Sequence, residues 1–162
     1  MISNHINAND KLQIFIRQHP DNVCAPVVPM KAAPSDIGYD LTLIREVKQY
    51  NDQTTMFDSG ISVIPPTGYY VEIVPRSSLS RFGYVMANSI GIIDPSYRGT
   101  LKVVMTKIVK DAEDIVLPIT RFQLILRKIE HSDVEVYRLS DEDNFENSTQ
   151  RAGGGFGSTD NP

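Results

Sequence analysis

The chain has 162 residues, 41% hydrophobic and 22% charged, which suits one globular domain and excludes a disordered or fibrous protein. A formal net charge of −4 argues against a general nucleic-acid coat, and no apolar run nears the ~18 residues that would span a bilayer, so neither stable nucleic-acid binding nor a membrane span is expected. The single cysteine, Cys24, cannot form an internal disulfide and suits a reducing compartment, cytoplasm or nucleus.

In chain order, residues 1–11 (MISNHINANDK) read as a loose polar leader without the apolar stretch of a secretory signal. Residues 12–17 (LQIFIR) have strand length. Prolines 20, 26, 29 and 34 exclude a regular helix over residues 20–34. Residues 39–44 (YDLTLI) alternate as a strand does, and residues 57–64 hold the turn Asp58-Ser59-Gly60 followed by another short strand. After the turn Pro65-Pro66-Thr67-Gly68, residues 69–74 (YYVEIV) are β-branched and aromatic, hence a strand. A helical turn is expected at residues 77–82. Two apolar runs, residues 82–93 and 100–109, read as a hairpin around Asp94-Pro95-Ser96-Tyr97-Arg98-Gly99. Runs at 115–117, 122–126 and 134–137 complete the strands. Short strands with Gly/Pro punctuation predict an all-β sandwich or barrel over residues 12–139. Residues 140–150 (SDEDNFENSTQ) read as a polar linker and residues 151–162 as a glycine-rich segment.

Three segments could carry chemistry, and the first two have the composition of a site for an anionic ligand. In RAGGGFGSTD, consecutive glycines let backbone N–H groups face phosphate oxygens, Arg151 adds a cation, Ser158 and Thr159 add hydroxyls, and Phe156 could cap a flat base. The same composition also describes a low-complexity tail. In PRSSL, Arg76, Ser77 and Ser78 open a turn after a strand, as an anion site or an ordinary helix cap would. In ANSIGIIDPSYRGTL, Asn88 carries donor and acceptor in an apolar run, and Gly91 permits close backbone approach. Asp94, among Ile92, Ile93 and Pro95, is placed as a general base or as plain turn chemistry. Asp40 is either a surface charge or a second carboxylate near the site. His5, His19 and His131 lack metal-ligand spacing, and no phosphate-binding GxxxxGK[ST] occurs.

In this order the segments resemble the five motifs of the homotrimeric dUTP pyrophosphatase (dUTPase) family, from about Leu12 to Asp160. The resemblance implies a jelly-roll β-domain whose three copies share three active sites, with dUTP as substrate and Mg²⁺ as cofactor. It implies Asp94 as the base that activates water, and Asp40, in IGYDL, linked to magnesium through water. It implies substrate contacts at Arg76, Ser77, Ser78, Asn88, Gly91, Ile93, Tyr97, Gln123, Arg151, Phe156, Gly157, Ser158 and Thr159. Of these, Tyr97 would pack on the deoxyribose, and Phe156 would close over uracil as part of a lid. The fourth motif departs from the family's G-D-R-x-A-Q. Here it is Pro118-Ile119-Thr120-Arg121-Phe122-Gln123, so either Thr120 takes the Arg position or a one-residue deletion aligns Arg121. A dCTP deaminase resembles these enzymes in fold and shares the RSS and IDP segments, but it needs a glutamate on the strand after the hairpin. LKVVMT holds no acid, with Val104 near that position. The resemblance therefore implies hydrolysis of dUTP to dUMP and pyrophosphate, which limits uracil in DNA and supplies dUMP for dTMP synthesis.

Overall fold

A side chain every second residue on one face lets a strand bury one side, and this period organises residues 13–128. The structure, a computed structural model, describes residues 10–131, 134–140 and 145. The chain divides into two units, Met1–Ile129 and Glu130–Pro162. In the first lie β1 (Gln13–Ile16), β2 (Tyr39–Leu43), β3 (Arg45–Asn51), β4 (Thr54–Asp58), β5 (Ile61–Ile64) and β6 (Tyr69–Pro75). A 3-10 helix (Ser77–Arg81) follows, then β7 (Tyr84–Met86), β8 (Gly91–Ile93), β9 (Lys102–Lys107) and β10 (Ile119–Lys128). Among the described residues no helix is long and apolar enough to cross a membrane.

Two four-stranded antiparallel sheets, β2-β10-β6-β8 and β3-β4-β9-β7, enclose the core, and β1 pairs with β5. Leu41, Leu43, Val71, Ile73, Phe122 and Leu124 from the first sheet join Phe57, Val103, Met105 and Met86 from the second in one buried cluster. Along β10 the inward residues are Ile119, then Phe122 and Leu124. The step of three would throw the strand out of phase. A bulge between Ile119 and Phe122 restores it, placing Thr120 and Arg121 together opposite Thr42.

The hairpin expected from residues 82–109 does not form. Tyr84–Met86 pairs with β9 in one sheet, whereas Gly91–Ile93 pairs with β6 in the other. The chain crosses between sheets at residues 87–90, where Ser89 adopts φ +60 and Asn88 Nδ2 donates to the Ile90 carbonyl at 3.1 Å. One apolar run thus serves two sheets, because both faces it must fill belong to the same core. Residues 94–99 then lead back across to β9. β3 is an addition to the expected strands. Its side chains after Arg45 are exposed, so an edge strand with little apolar signal escaped periodicity. Residues 115–117 form no strand but pack Ile115 and Leu117 against the core from a loop. Residues 134–137 belong to no described ladder, and Val134 and Val136 are 83% and 82% exposed. Alternation alone does not make a strand without a neighbour to complete its hydrogen bonds.

Two buried carboxylates are matched by donors. Asp58, 2% exposed, accepts from Arg45 Nη2 (2.6 Å), Thr100 Oγ1 (2.9 Å) and the Gly60 amide (2.9 Å). Glu72, on the outer face of β6, accepts from Arg127 Nε (2.9 Å) and the Tyr70 hydroxyl (2.8 Å). The Arg127 hydrogen bond holds the Glu72 carboxyl below its ordinary 4.5, against the opposing push of burial. A depressed carboxyl contributes stability above the unfolded value that is lost as pH falls through the folded one. Glu72→Gln is therefore expected to lower the melting temperature at neutral pH. The variant should also lose less of its remaining stability than the parent between about pH 5 and about pH 3, as thermal melts across that range would report.

Candidate active site

The end of β6 gathers the first group of expected site residues. Pro75 ends the strand, and Arg76 keeps an extended backbone (φ −80, ψ 155) before the 3-10 helix begins. Its amide donates to the Arg121 carbonyl at 2.8 Å, which locks it to β10. Its guanidinium reaches across β10 to β2, where Nη1 lies 3.0 Å from Asp40 Oδ2. Gln123 sits between them, opposite Asp40 in the β2–β10 register and donating through Nε2 to the Pro75 carbonyl at 3.3 Å. Gly38 makes this possible, because a methyl group there would overlap the Gln123 side-chain amide. Asp40, Arg76 and Gln123, far apart in sequence, thus form one cluster.

Leu79 plugs the 3-10 helix into the core while Ser77 stays exposed. Ser78 Oγ is buried without a hydrogen-bond partner, as is Arg121 Nε. The Arg121 guanidinium stacks over Phe82, 5.4 Å from the ring centroid. The Thr120 hydroxyl is engaged instead with Thr42 Oγ1 at 2.8 Å. Arg76 is shared by two hollows. One of about 410 Å³ is lined by Pro75, Ser77, Leu79 and Ser89, among others. The other, of about 440 Å³, is lined by Phe82, Glu113, Pro118, Thr120 and Arg121, among others.

The second group lies elsewhere. Gly91 packs against Ile73 so closely that a Cβ would come within 3.2 Å of the Ile73 Cβ. Asp94 follows Ile93, which pairs with Val71, so it stands level with Tyr70. Six residues of β6 separate that level from Arg76, roughly 20 Å along an extended strand. Arg76 also turns toward β2, away from β8. One chain therefore does not bring Asp94 and Arg76 to the same point. Tyr97 is 40% exposed, and its hydroxyl donates to the Thr100 carbonyl at 3.0 Å, with Gly99 leaving room for the ring.

The model of the dUTPase family matches residues 26–160, with 135 positions of the 162 spanned. The chain belongs to the dUTPase family. It is 36% identical over 137 residues to the deoxyuridine 5'-triphosphate nucleotidohydrolase of Paramecium bursaria Chlorella virus 1, covering 81% of this chain and 88% of that one. The enzyme of the same name from Candida albicans is 29% identical over 154 residues, covering 95% and 91%. Among solved structures, a glycine-to-serine mutant of the Staphylococcus bacteriophage 80alpha dUTPase with dUpNHpp is similar at a TM-score of 0.69 and 18% identity, covering 93% of this chain and 99% of that one. A dUTPase from phage phi11 of S. aureus, described with a structural Mg(II) ion, is similar at 0.63 and 17% identity, covering 82% and 100%. At that identity the likeness is one of fold, and it agrees with the all-β jelly roll.

Within this dUTPase-family chain, the first, second and fourth motifs meet at the Arg76 end of β6, and the third occupies the Asp94 end. Arg151, Phe156, Gly157, Ser158 and Thr159 lie outside the described residues. Phe82 and Gly38 were missed by motif reasoning. Gly38 lies inside the IGYDL segment, and its glycine was the available signal. Gly38→Ala is expected to push Gln123 off the Pro75 carbonyl and to cost about 1–3 kcal/mol in urea unfolding, typical of overpacking. A parental unfolding midpoint would show that Gln123 has another place to go.

Proposed function

We propose that the chain hydrolyses dUTP to dUMP and pyrophosphate, limiting uracil in DNA and supplying dUMP for dTMP synthesis. The clustering of Asp40, Arg76 and Gln123 at one strand end, opposite an exposed Asp94 loop, carries this reading. Arg76, Ser77 and Ser78 hold the phosphates. Ser78 Oγ is a buried hydroxyl still lacking a partner, and a phosphate oxygen would supply one. Arg121, rather than Thr120, is the fourth-motif cation. The bulge leaves Thr120 bonded to Thr42 and puts Arg121 on the wall it shares with Arg76.

Asp94 takes a proton from water as the water oxygen bonds to the α-phosphorus. The bond from that phosphorus to the bridging oxygen breaks, and pyrophosphate leaves with its electron pair. A base so placed is worth roughly 10²–10⁴-fold. Among the described residues no group of three His, Cys, Asp or Glu could hold a metal. That donor set fits Mg²⁺ bound chiefly by phosphate oxygens and water, with Asp40 contributing through a water. The bound ion would offset charge on the triphosphate.

β8 is an edge strand, so backbone N–H and C=O groups on its free side are open to a base edge. Gly91, Ile93 and the neighbouring Asn88 would read uracil there. Cytosine reverses the 4-position donor and acceptor, and each unpaired buried group would cost about 1–3 kcal/mol. The Tyr97 ring would exclude a ribose 2′-hydroxyl by contact. Residues 151–159 would close over the nucleotide.

The separation of Asp94 from Arg76 supports a homotrimer with shared sites. Mixing Arg76→Ala chains with Asp94→Asn chains under subunit exchange is expected to recover turnover that neither shows alone. Failure to recover it would place the whole site within one chain.

Pyrophosphate release measured with dUTP, dCTP, dTTP and UTP should occur with dUTP, fall on chelation and return with Mg²⁺. Asp94→Asn should lose at least about 10²-fold in kcat and still bind dUTP. Ammonia release from dCTP at a matching rate would instead favour deamination, although β9 (KVVMTK) offers no acid for it.

A further inference from the structure

The loop between β8 and β9 has an unusual hydrogen-bond account. The Asp94 carbonyl accepts from the Tyr97 amide at 3.0 Å. The Pro95 and Tyr97 carbonyls both accept from Arg98 Nη1, at 2.6 and 2.9 Å. The Thr100 carbonyl accepts from the Tyr97 hydroxyl at 3.0 Å. These bonds shape the loop internally but do not fix it to the rest of the molecule. Its far end is anchored where Thr100 donates to the buried Asp58. Nearer Asp94, a tie among the described residues comes from a distant segment. Arg17, just after β1, donates through Nη2 to the Arg98 carbonyl at 3.1 Å and through Nε to Ser62 Oγ at 3.1 Å. Its own amide is bonded to the Gly60 carbonyl at 2.8 Å. Backbone and Nε therefore aim the guanidinium before it reaches the loop.

We propose that Arg17 is a positioning residue for catalysis, a clamp that holds the Asp94–Tyr97 loop in register against the strand pair β1–β5. Its side-chain bonds go to Ser62 and the Arg98 carbonyl rather than to Asp94, and it acts through that carbonyl. Arginine suits the task, because its planar fork presents Nε and Nη2 donors at a fixed angle, one for Ser62 and one for the loop. Lysine carries its donors on one nitrogen and cannot reproduce both bonds with that geometry. Small displacements of a base from a reacting water reduce rate far more than they reduce binding. The proposal rests on the assignment of Asp94 as base.

The test compares Arg17→Met, Arg17→Lys and Ser62→Ala with the parent in dUTP hydrolysis, thermal melting and amide hydrogen exchange. Arg17→Met is expected to lose about tenfold in kcat, equivalent to about 1.4 kcal/mol in the barrier. KM should stay within about threefold, and the melting temperature within about 2 °C. Arg17→Lys should recover part of the loss. Ser62→Ala, which removes only the hydroxyl that aims Nε, should shift kcat in the same direction and decides the matter if Arg17→Met does not fold. Exchange should quicken for residues 95–98 and stay parental in β6 and β9. A kcat within twofold of the parent would overturn the clamp, as would a loss that follows melting temperature across the variants. Asp94→Asn separates the two claims. If it retains parental turnover, the base assignment fails. If it is inactive while Arg17→Met and Ser62→Ala keep full kcat, the clamp alone fails.

Discussion

The site depends on the length and placement of β6. This strand lies between β10 and β8, so one flank carries Gln123 and, beyond it, Asp40, and the other carries the start of the Asp94 loop. Hydrogen-bond register fixes both relations. Because Arg76 leaves one end of β6 and Asp94 stands level with the other, the cationic and basic halves face away from each other within a chain.

The Arg76 end is built for charge carried by side chains. A five-residue 3-10 helix offers little dipole, so Arg76 and Arg121 would supply most of the field there. The Asp40–Arg76 pair is about one third exposed on each side. Screening makes such a pair weak, so Asp40 orients Arg76 without trapping it. Arg121 is held by Phe82 and by the bulge in β10, and its Nε lacks a partner. Both cations are thus aimed in advance, which would reduce the reorganisation needed for the polyanion binding proposed above.

The Asp94 end is arranged differently. Its loop is exposed, yet the carbonyls of residues 94, 95, 97, 98 and 100 all accept hydrogen bonds. Such loops hold shape because their backbone groups are satisfied by hydrogen bonds, here four within the loop and one from Arg17, rather than by burial. Asp58 secures the base of the loop, and as a buried carboxylate with three donors it also joins β3, the β4–β5 turn and the approach to β9.

The sequence by itself determined several of the strands, the main turns and the chemical inventory. Alternation in YDLTL and the β-branched, aromatic composition of YYVEIV became β2 and β6, and Pro75 with Ser77 and Ser78 marked the strand end and the short helix. These are local properties, set by a two-residue side-chain period and by the backbone limits of Pro and Gly. The spacing of Ile119, Phe122 and Leu124 even carries the bulge, since three residues rather than two separate the first pair. Only the tertiary structure decided which segments meet. It divided residues 82–93 between two sheets, left 134–137 without a described ladder, set Asp40 beside Arg76, and brought Arg17 to a loop 81 residues away. Strand pairing is a long-range choice among many segments of similar apolarity, made by the joint filling of one core. No local pattern in the chain specifies that choice.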